Sequence, residues 1–243
     1  MNEMTNDTFD ILFLIARPAA GKSEIIDYLK HSDEAERRQR FHIGPFDEID
    51  DFPMLWTWFE EDALLAGMGK PRLHSDADGY FLHDYFWHLL IERMALDYSK
   101  LLRESADYHA SRTTIVEFAR GAQHGGWQAA FPHFPAEMLR RGAILYINVS
   151  WEESLRKNRR RFNPDRPDSI LEHALPDEKM ARLYRDSDWD AFTADDPQFV
   201  TVNNVRIPYA VFENEDDVTT ARGAALGERL EDTLRRLWHA RQS

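Results

Sequence analysis

The sequence predicts an α/β fold in three layers, in which helices cover both faces of a central parallel sheet of about five strands. Short apolar, β-rich segments alternate along the chain with longer segments of helical periodicity, which is typical of parallel strands joined by crossover helices. The short segments are nearly continuous in apolar residues, as expected of strands covered on both faces. The predicted strands are residues 11–15, 40–43, 113–118, 144–149 and 207–212.

Helical periodicity and turn residues place the elements between these strands. Asn203 and Asn204 predict a turn, because Asn tolerates the left-handed conformation. A stripe of leucines on the last predicted helix is assigned to core packing, and it consists of Leu226, Leu230, Leu234 and Leu237. The predicted helices are residues 24–30, 54–66, 80–104, 135–141, 151–162, 176–185 and 220–241.

The composition indicates one large domain that spans residues 1–243. The chain is 43% hydrophobic, which is enough to bury a full core, and its lack of cysteine excludes disulfide bonds and thiolate metal sites. Its apolar runs are too short to span a membrane and residues 1–10 are polar and acidic, so we expect a cytoplasmic protein without a membrane partner. The formal charge of −13 disfavours a nucleic-acid partner.

The first predicted strand leads directly into a phosphate-binding loop. Residues 16–23 read Ala-Arg-Pro-Ala-Ala-Gly-Lys-Ser, and a helix is predicted directly after them. In such a loop the backbone N–H groups surround a phosphate, the lysine supplies a mobile positive charge, and the hydroxyl ligates Mg²⁺. The alternative is a chance Gly-Lys-Ser at the start of an ordinary helix. The predicted nucleotide-binding residues here are Ala20, Gly21, Lys22, Ser23 and Glu24.

One residue of the loop departs from the usual pattern, which has glycine at the position of Ala16. An alanine fits there where φ is negative. A positive φ would cost roughly 1 kcal/mol or more, because alanine carries a Cβ. The sequence leaves open which conformation Ala16 adopts.

Charged residues follow two of the predicted strands. Glu117 ends the third strand and Arg120 comes three residues later. Ligands bind at the carboxyl ends of the strands in open α/β sheets, so we expect Glu117 to hold Mg²⁺ or accept a proton, and Arg120 to clamp an anionic substrate. The alternative is a structural ion pair between these two residues. Asp47, after the second predicted strand, is the rival general base, whereas Asp50 and Asp51 are assigned to a solvated helix entry.

The helix predicted at residues 151–162 is strongly basic. Arg159 shares an apolar stripe with Leu155, so we expect it to face inward and reach an anion, while Arg156 and Arg160 lie one turn apart and are expected to act together. Such a segment in an acidic protein is suited to close over phosphates and to supply charge for phosphoryl transfer. The alternative is a solvated helix face paired with nearby acidic residues.

Aromatic residues are concentrated between the second and third predicted strands, where an acceptor pocket would be built. Tyr85 and Phe86 belong to this group, and a flat apolar acceptor such as a nucleobase would suit them. Aromatic residues in such numbers more often form core. His74 and Asp76 lie in the same segment, but their spacing fits neither a calcium loop nor a zinc-binding helix.

The loop at residues 16–23, the strand-end Glu117 with Arg120, and the arginine-rich helices after the fourth predicted strand resemble the P-loop kinases of the nucleoside and nucleotide kinase superfamily. The resemblance implies a parallel five-stranded sheet, an acceptor-binding insertion at about residues 46–110 and a mobile helical lid at about residues 151–189.

The same resemblance implies roles for individual residues. Lys22 and Ser23 would bind ATP and Mg²⁺, and Arg120 would contact the acceptor. The lid arginines would stabilise the transferring phosphoryl group, and these are Arg156, Arg159 and Arg160.

These observations predict an ATP-dependent phosphotransferase that moves the γ-phosphoryl group of ATP to a small acceptor, first a nucleoside or nucleotide and second another small hydroxyl compound. The alternative is a nucleotide-binding module that hydrolyses slowly, or not at all, and signals to a protein partner. A homodimer is left open. The predicted catalytic residues are Lys22, Glu117, Asp47 and Arg159, the acceptor-binding residues Arg120, Tyr85 and Phe86, and the Mg²⁺ ligands Ser23 and Glu117.

Overall fold

A six-stranded sheet forms the centre of the computed structural model, which describes residues 7–161 and 174–243. The strand order is β2-β3-β1-β4-β6-β5; the first five strands in this order are parallel, and β5 is antiparallel to β6. The strands are β1 (Ile11–Ala16), β2 (Phe46–Asp50), β3 (Thr113–Phe118), β4 (Gly142–Asn148), β5 (Phe199–Val202) and β6 (Val205–Glu213).

Helices cover both faces of the sheet, as predicted. The 3₁₀ turns lie at Tyr108–Ala110, Ala122–His124 and Phe131–His133. The α-helices of the described ranges are α1 (Lys22–His31), α2 (Glu34–Phe41), α3 (Phe52–Gly67), α4 (Tyr85–Glu104), α5 (Gly126–Ala130), α6 (Ala136–Arg141), α7 (Trp151–Arg161), α8 (Asp177–Tyr184), α9 (Trp189–Phe192), α10 (Val218–Ala221) and α11 (Ala224–Gln242).

Strand β1 lies at the middle of the sheet and separates two hydrophobic cores. Its alternate residues Ile11, Phe13 and Ile15 contact one core, and the residues between them contact the other. All six residues of β1 are fully buried, as expected of a parallel strand covered on both faces. The predicted leucine stripe of α11 packs in the second core. The loop that follows β1 therefore starts from a fully buried strand at the middle of the sheet.

Two strand predictions differ from the structure. Residues 40–43 were predicted as a strand, but residues 40 and 41 end α2 and His42 is left-handed with φ 55°. Asp33 caps α2 by accepting hydrogen bonds from the N–H groups of Ala35 and Glu36. An aspartate at this position favours the start of a helix, but the prediction followed the short apolar run at residues 40–43 instead. The second strand begins later, at Phe46.

The second difference is strand β5, which was not predicted. It forms a two-residue hairpin with β6 around Asn203 and Asn204, both of which have positive φ, so the predicted turn at these residues is confirmed. Prediction and structure also differ at the C-terminal helix, which is interrupted at Arg222 and Gly223. No helix in the described ranges is long and apolar enough to cross a membrane.

Candidate active site

The phosphate-binding loop connects β1 to α1. Ala16 is the last residue of β1 and pairs with Ile147 of β4, so it does not have the positive φ that would exclude a side chain. Positive φ occurs instead at Ala19 (57°) and at Gly21 (117°). The departure from glycine at Ala16 is therefore compatible with the loop.

Gly21 is required by its conformation and by its neighbours. A Cβ at this position would lie 2.7 Å from Thr219 Oγ1 and 2.9 Å from Asn214 Nδ2. The buried Asn214 donates hydrogen bonds to the carbonyl oxygen of Ala20 and to Thr219 Oγ1, each at 2.8 Å. On the other side, Ser154 Oγ donates to the carbonyl oxygen of Pro18. The loop is thus fixed by side chains that follow β6 and β4.

A cavity of about 670 Å³ opens beside this loop, at the carboxyl edge of the sheet. Gly21, Lys22 and Ser23 of the loop line it together with Glu24 in the first turn of α1, whereas Ala20 is fully buried and is not among the lining residues. Ser23 is exposed to the cavity at the N-terminus of α1, where the backbone N–H groups of a helix favour an anion. The volume is within the range usual for small-ligand sites.

Lys22 reaches across the cavity floor to Glu117. The Lys22 Nζ atom lies 3.7 Å from Glu117 Oε1, and both side chains are almost completely buried. Burial raises the pKa of Glu117, while the positive charge of Lys22 lowers it. The structure therefore brings together the lysine and the strand-end carboxylate that the sequence singled out, and pairs Glu117 with Lys22 rather than with Arg120.

Asp50 lies next to Glu117 at the end of the neighbouring strand. The two residues are register partners of β2 and β3, and both line the cavity. Removal from water, with a further contribution from Glu117 and Asp51, raises the pKa of Asp50 to about 7. Asp50 also accepts a hydrogen bond from the Phe52 N–H group at the start of α3.

The prediction that Asp47 lies over the crevice is wrong, because the second strand was placed too early in the chain. Asp47 belongs to the opposite end of β2, where it pairs with Thr114 in the sheet register. It accepts hydrogen bonds from Arg112 Nε and from the Tyr108 hydroxyl, at 2.7 and 2.6 Å. The Arg112 hydrogen bond holds the pKa of Asp47 below its usual value. Asp50 and Asp51, which the sequence assigned to a solvated helix entry, line the cavity instead.

Arg120 lines the cavity but is held by protein groups. Its Nη1 donates to Asp51 Oδ2 and to the carbonyl oxygen of Ala119, both at 2.6 Å, and its Nη2 donates to the carbonyl oxygen of Trp87 at 3.0 Å. The guanidinium group lies over the rings of Trp87 and Phe118. Arg120 is thus a buried side chain that lines the cavity and is bonded to protein groups, and the predicted binding of an anionic substrate by both of its Nη atoms would require these bonds to break.

The arginines of α7 do not all face the cavity, because one of them lies against α8 instead. Arg160 lines the cavity and contacts Asp217 and Thr220, and Arg156 bonds to Glu153 and Asp217. Arg159 does not face the cavity as predicted: its Nε lies 2.9 Å from Asp177 of α8, and the side chain is 61% exposed.

The sequence reading missed Lys157, one of the buried cations of the cavity wall. Its Nζ lies 2.7 Å from Asp217 Oδ1 and 3.1 Å from Thr219 Oγ1, and the side chain is 3% exposed. Lys157 lies on the side of the predicted helix opposite its apolar stripe, so nothing in the sequence indicated that this lysine is buried. Residue 162, the last of the helix predicted at residues 151–162, and residues 163–173 of the predicted lid lie outside the described residues.

The structure places the two aromatic residues predicted to bind the acceptor, Tyr85 and Phe86, outside the cavity lining. Phe86 is buried in a cluster of rings with Trp58 and Phe81, and Tyr85 is 58% exposed and stacks on His83. Neither lines the cavity. Its apolar wall consists instead of Trp87, Phe52, Leu55, Tyr184 and Leu175, among others.

The five parallel strands, and a glycine-lysine-serine loop between the central strand and the helix after it, define an α/β protein of the P-loop type. No family model matches the sequence, and no curated protein matches it. Among solved structures, the chain is similar to a shikimate kinase from Bacteroides thetaiotaomicron. The similarity covers 97% of this chain and 100% of that one, with 16% identity and a TM-score of 0.39.

Proposed function

We propose that this protein is an ATP-dependent phosphotransferase that moves the terminal phosphoryl group of ATP to a hydroxyl group of a small acceptor. The observation that carries the proposal is the position of two carboxylates, Asp50 and Glu117, in the same cavity as the phosphate-binding loop, with Lys22 reaching one of them. A module that only binds a nucleotide needs the loop. It does not need a carboxyl group whose pKa is raised to about 7 beside the bound phosphates.

The loop residues fit a nucleotide triphosphate. Gly21 allows the backbone to approach a phosphate closely, Lys22 supplies a positive charge, and the N-terminus of α1 faces the same space. Lys157 and Arg160 add positive charge on the other side of the cavity. Residues of α7 and α8 line the cavity, which supports the predicted lid at residues 151–189. Phe52, Leu55 and Trp87 also line it, which supports the predicted acceptor-binding insertion.

Ser23 and Glu117 are the residues that would hold Mg²⁺, as the sequence indicated. Within residues 7–161 and 174–243 no three His, Cys, Asp or Glu side chains are arranged to hold a metal ion by themselves. Such an incomplete ligand set suits Mg²⁺, which usually completes its coordination with water and substrate phosphates. When bound, it would neutralise charge on the phosphates.

The reaction needs a group that takes the proton of the acceptor hydroxyl. In the proposed reaction the hydroxyl oxygen forms a bond to the terminal phosphorus, the bond from that phosphorus to the bridging oxygen breaks, and ADP leaves. Asp50 accepts the released proton, because a carboxylate with a pKa near 7 is a stronger base than an ordinary one and is still about half ionised at neutral pH. Glu117 positions Lys22, and the cations of the cavity stabilise the charge on the transferring group.

The proposal is tested by incubating the protein with Mg·ATP and measuring ADP formation across nucleosides, nucleotides and small phosphorylatable alcohols. Acceptor-dependent ADP formation that is lost in Lys22→Ala is the expected result. Glu117→Gln should lower turnover by about 100-fold or more, because it removes the buried charge that positions Lys22, while ATP affinity stays within a few-fold. Tight ATP binding without stimulation by any acceptor would contradict the proposal and favour the nucleotide-binding module.

A further inference from the structure

We propose that Asp51 makes this site selective against anionic acceptors. By holding Arg120, Asp51 keeps this arginine from a phosphate or carboxylate group at the acceptor end of the cavity. The acceptor is then a hydroxyl compound without negative charge, with an apolar surface that fits the ring of Trp87. This inference rests on the proposed function, since it specifies the acceptor of that site.

The direction of Lys22 identifies the acceptor end of the cavity. Its Nζ atom reaches the end of β3 at Glu117, so the terminal phosphate of a nucleotide in the loop would lie beside this carboxylate. Beyond Glu117 the cavity is bounded by Asp51, Arg120 and Trp87. Lys157 and Arg160 of α7 and Arg222 also line the cavity, and they follow β4 and β6, which lie on the other side of β1 from β3 and β2. An acceptor must therefore lie against the side that carries Asp51 and Arg120.

Arg120 is not available for binding an anion at this end. Its side chain is 2% exposed and that of Asp51 is 9% exposed, so the ion pair is almost completely removed from water. Both Nη atoms of Arg120 already donate to Asp51 or to backbone carbonyl oxygens. Within the described ranges the Nε atom of Arg120 has no hydrogen-bond partner, but it is buried. An anionic acceptor could take over the Nη atoms only by displacing Asp51 or a backbone carbonyl oxygen, and displacing Asp51 would leave a second carboxylate buried without its partner.

The other carboxylates strengthen this selectivity. Asp50 and Glu117 line the same end of the cavity, and their charges repel an anion held nearby. Arg161 also lines the cavity, from the end of α7. Burial raises the pKa of Glu117, whereas the charges of Lys22 and then Arg161 lower it.

Most remaining cations that line the cavity in the described ranges are also paired. The pairs are Lys30 with Glu48, Lys157 and Arg160 with Asp217, and Arg222 with Asp27.

The apolar wall next to Arg120 indicates what the site accepts instead. Trp87, Phe52 and Tyr184 lie on this side of the cavity, and rings of this kind bind flat or apolar surfaces without needing a charge. Hydroxyl groups of such an acceptor would donate to the carboxylates Asp50 and Glu117, which are strong hydrogen-bond acceptors.

The test uses matched acceptors that differ only in a phosphate group, such as adenosine with AMP and thymidine with its monophosphate. Dissociation constants are measured by calorimetry with a non-hydrolysable ATP analogue present, and turnover is measured in parallel. In the wild-type protein, the neutral member of the best-bound pair should bind about 30-fold or more tightly than the anionic member. Asp51→Asn should reduce this ratio by about 10-fold or more, mainly by improving binding of the anionic member, because Arg120 becomes available.

The double variant Asp51→Asn/Arg120→Gln is the matched control. It lacks the released cation, so the preference for the neutral acceptor should return. Equal or tighter binding of the anionic member by the wild-type protein would overturn the inference without any variant, and an unchanged ratio in Asp51→Asn would overturn the role of Asp51. Selective binding without ADP formation would contradict the proposed function and leave the selectivity standing, whereas binding of neither member would overturn both.

Discussion

Asp50 and Glu117 are register partners at the carboxyl ends of two adjacent parallel strands, and this places two carboxyl groups side by side on the cavity floor. Lys22 approaches only Glu117, at 3.7 Å. The two carboxyl groups therefore differ in environment. Glu117 has a positive partner that favours its charged form, whereas Asp50 has its pKa raised to about 7 by burial and by the charges of Glu117 and Asp51. Such a difference assigns separate roles to two carboxylates in one site.

The first prediction concerns the pH dependence of turnover. If Asp50 is the base, it must be deprotonated, so kcat/KM should rise with pH and reach half of its maximum near pH 7. Asp50→Asn should lower kcat by about 100-fold or more and remove this rise. Steady-state kinetics between pH 5.5 and pH 8.5 would measure both effects, at about half-unit intervals.

Asp47→Asn is the matched comparison, because it changes a carboxylate on the same strand at the other end of the sheet. Its pH profile and turnover should match those of the wild-type protein at a temperature well below unfolding. If Asp47→Asn lost activity while Asp50→Asn kept the turnover of the wild-type protein, the base would be Asp47 and not Asp50.

The second prediction concerns stability. A carboxyl group with a raised pKa in the folded state stabilises the fold while it is protonated, and this contribution is lost as the pH rises from the ordinary Asp value through about 7. Asp50→Asn mimics the protonated form and keeps an oxygen for the Phe52 N–H group. It should stabilise the protein by about 1–2 kcal/mol at pH 8, a fraction of the full pKa shift because Asp50 is partly exposed.

The same variant should change stability little at pH 4, where Asp50 is protonated in the folded state and about half protonated in the unfolded chain. Thermal unfolding of the variant and the wild-type protein at the two pH values measures the difference. A variant that is equally stabilising at both values would show that burial, not charge, is the cause.

The third prediction concerns the phosphate-binding loop. Gly21→Ala introduces a Cβ at φ 117° that would meet Thr219 and Asn214, so it should weaken ATP binding by about 10-fold or more and destabilise the fold by about 1–3 kcal/mol. Gly69→Ala is the control, because Gly69 also has positive φ but no atom within 4 Å of its Cβ position. It should cost about 1 kcal/mol of stability without changing ATP affinity.

A related variant tests the departure at the start of the loop. Because Ala16 belongs to a strand, Ala16→Gly should not improve ATP binding, and it should cost about 0.5–1 kcal/mol of stability. Titration calorimetry with ATP measures the affinity, and a clear gain in affinity would show that the alanine strains the loop.

The fourth prediction compares two arginine–aspartate pairs. Arg120→Ala leaves Asp51 buried without its partner and should destabilise the protein by about 3 kcal/mol or more. Arg112→Ala removes the partner of Asp47 at a position where both side chains are more than a third exposed, and it should cost about 1 kcal/mol or less. Urea unfolding of the two variants gives the comparison, and equal costs would contradict the role of burial.

The sequence was sufficient to predict those parts of the site that depend on neighbouring residues in the chain. The loop and its glycine-lysine-serine are continuous, and Glu117 ends an apolar run, so both could be located without a structure. The sequence favoured Asp47 over Asp50 because β2 was predicted to end before Asp47. The true end of β2, at Asp50, is determined by its pairing with β3, which the sequence of β2 alone does not reveal.

The helix α7 shows why side-chain direction was harder to predict. The apolar stripe with Trp151, Leu155 and Arg159 was correct as a face of the helix, but this face packs toward α8, where Asp177 meets Arg159. Lys157 lies on another face and enters the cavity wall. Helical periodicity defines the faces of a helix, whereas the neighbour of each face is determined by the tertiary fold.

Trp87 gives the cavity an optical property of its own. Its ring lines the cavity and stacks on His124, with 4.1 Å between the ring centroids. Burial and the charge of Arg120 lower the pKa of His124 to about 3, so at neutral pH the indole lies against an uncharged imidazole, which does not quench its emission as an imidazolium would. The fluorescence of Trp87, isolated by subtracting the spectrum of Trp87→Phe from that of the wild-type protein, can therefore follow the arrival of an acceptor without any attached label.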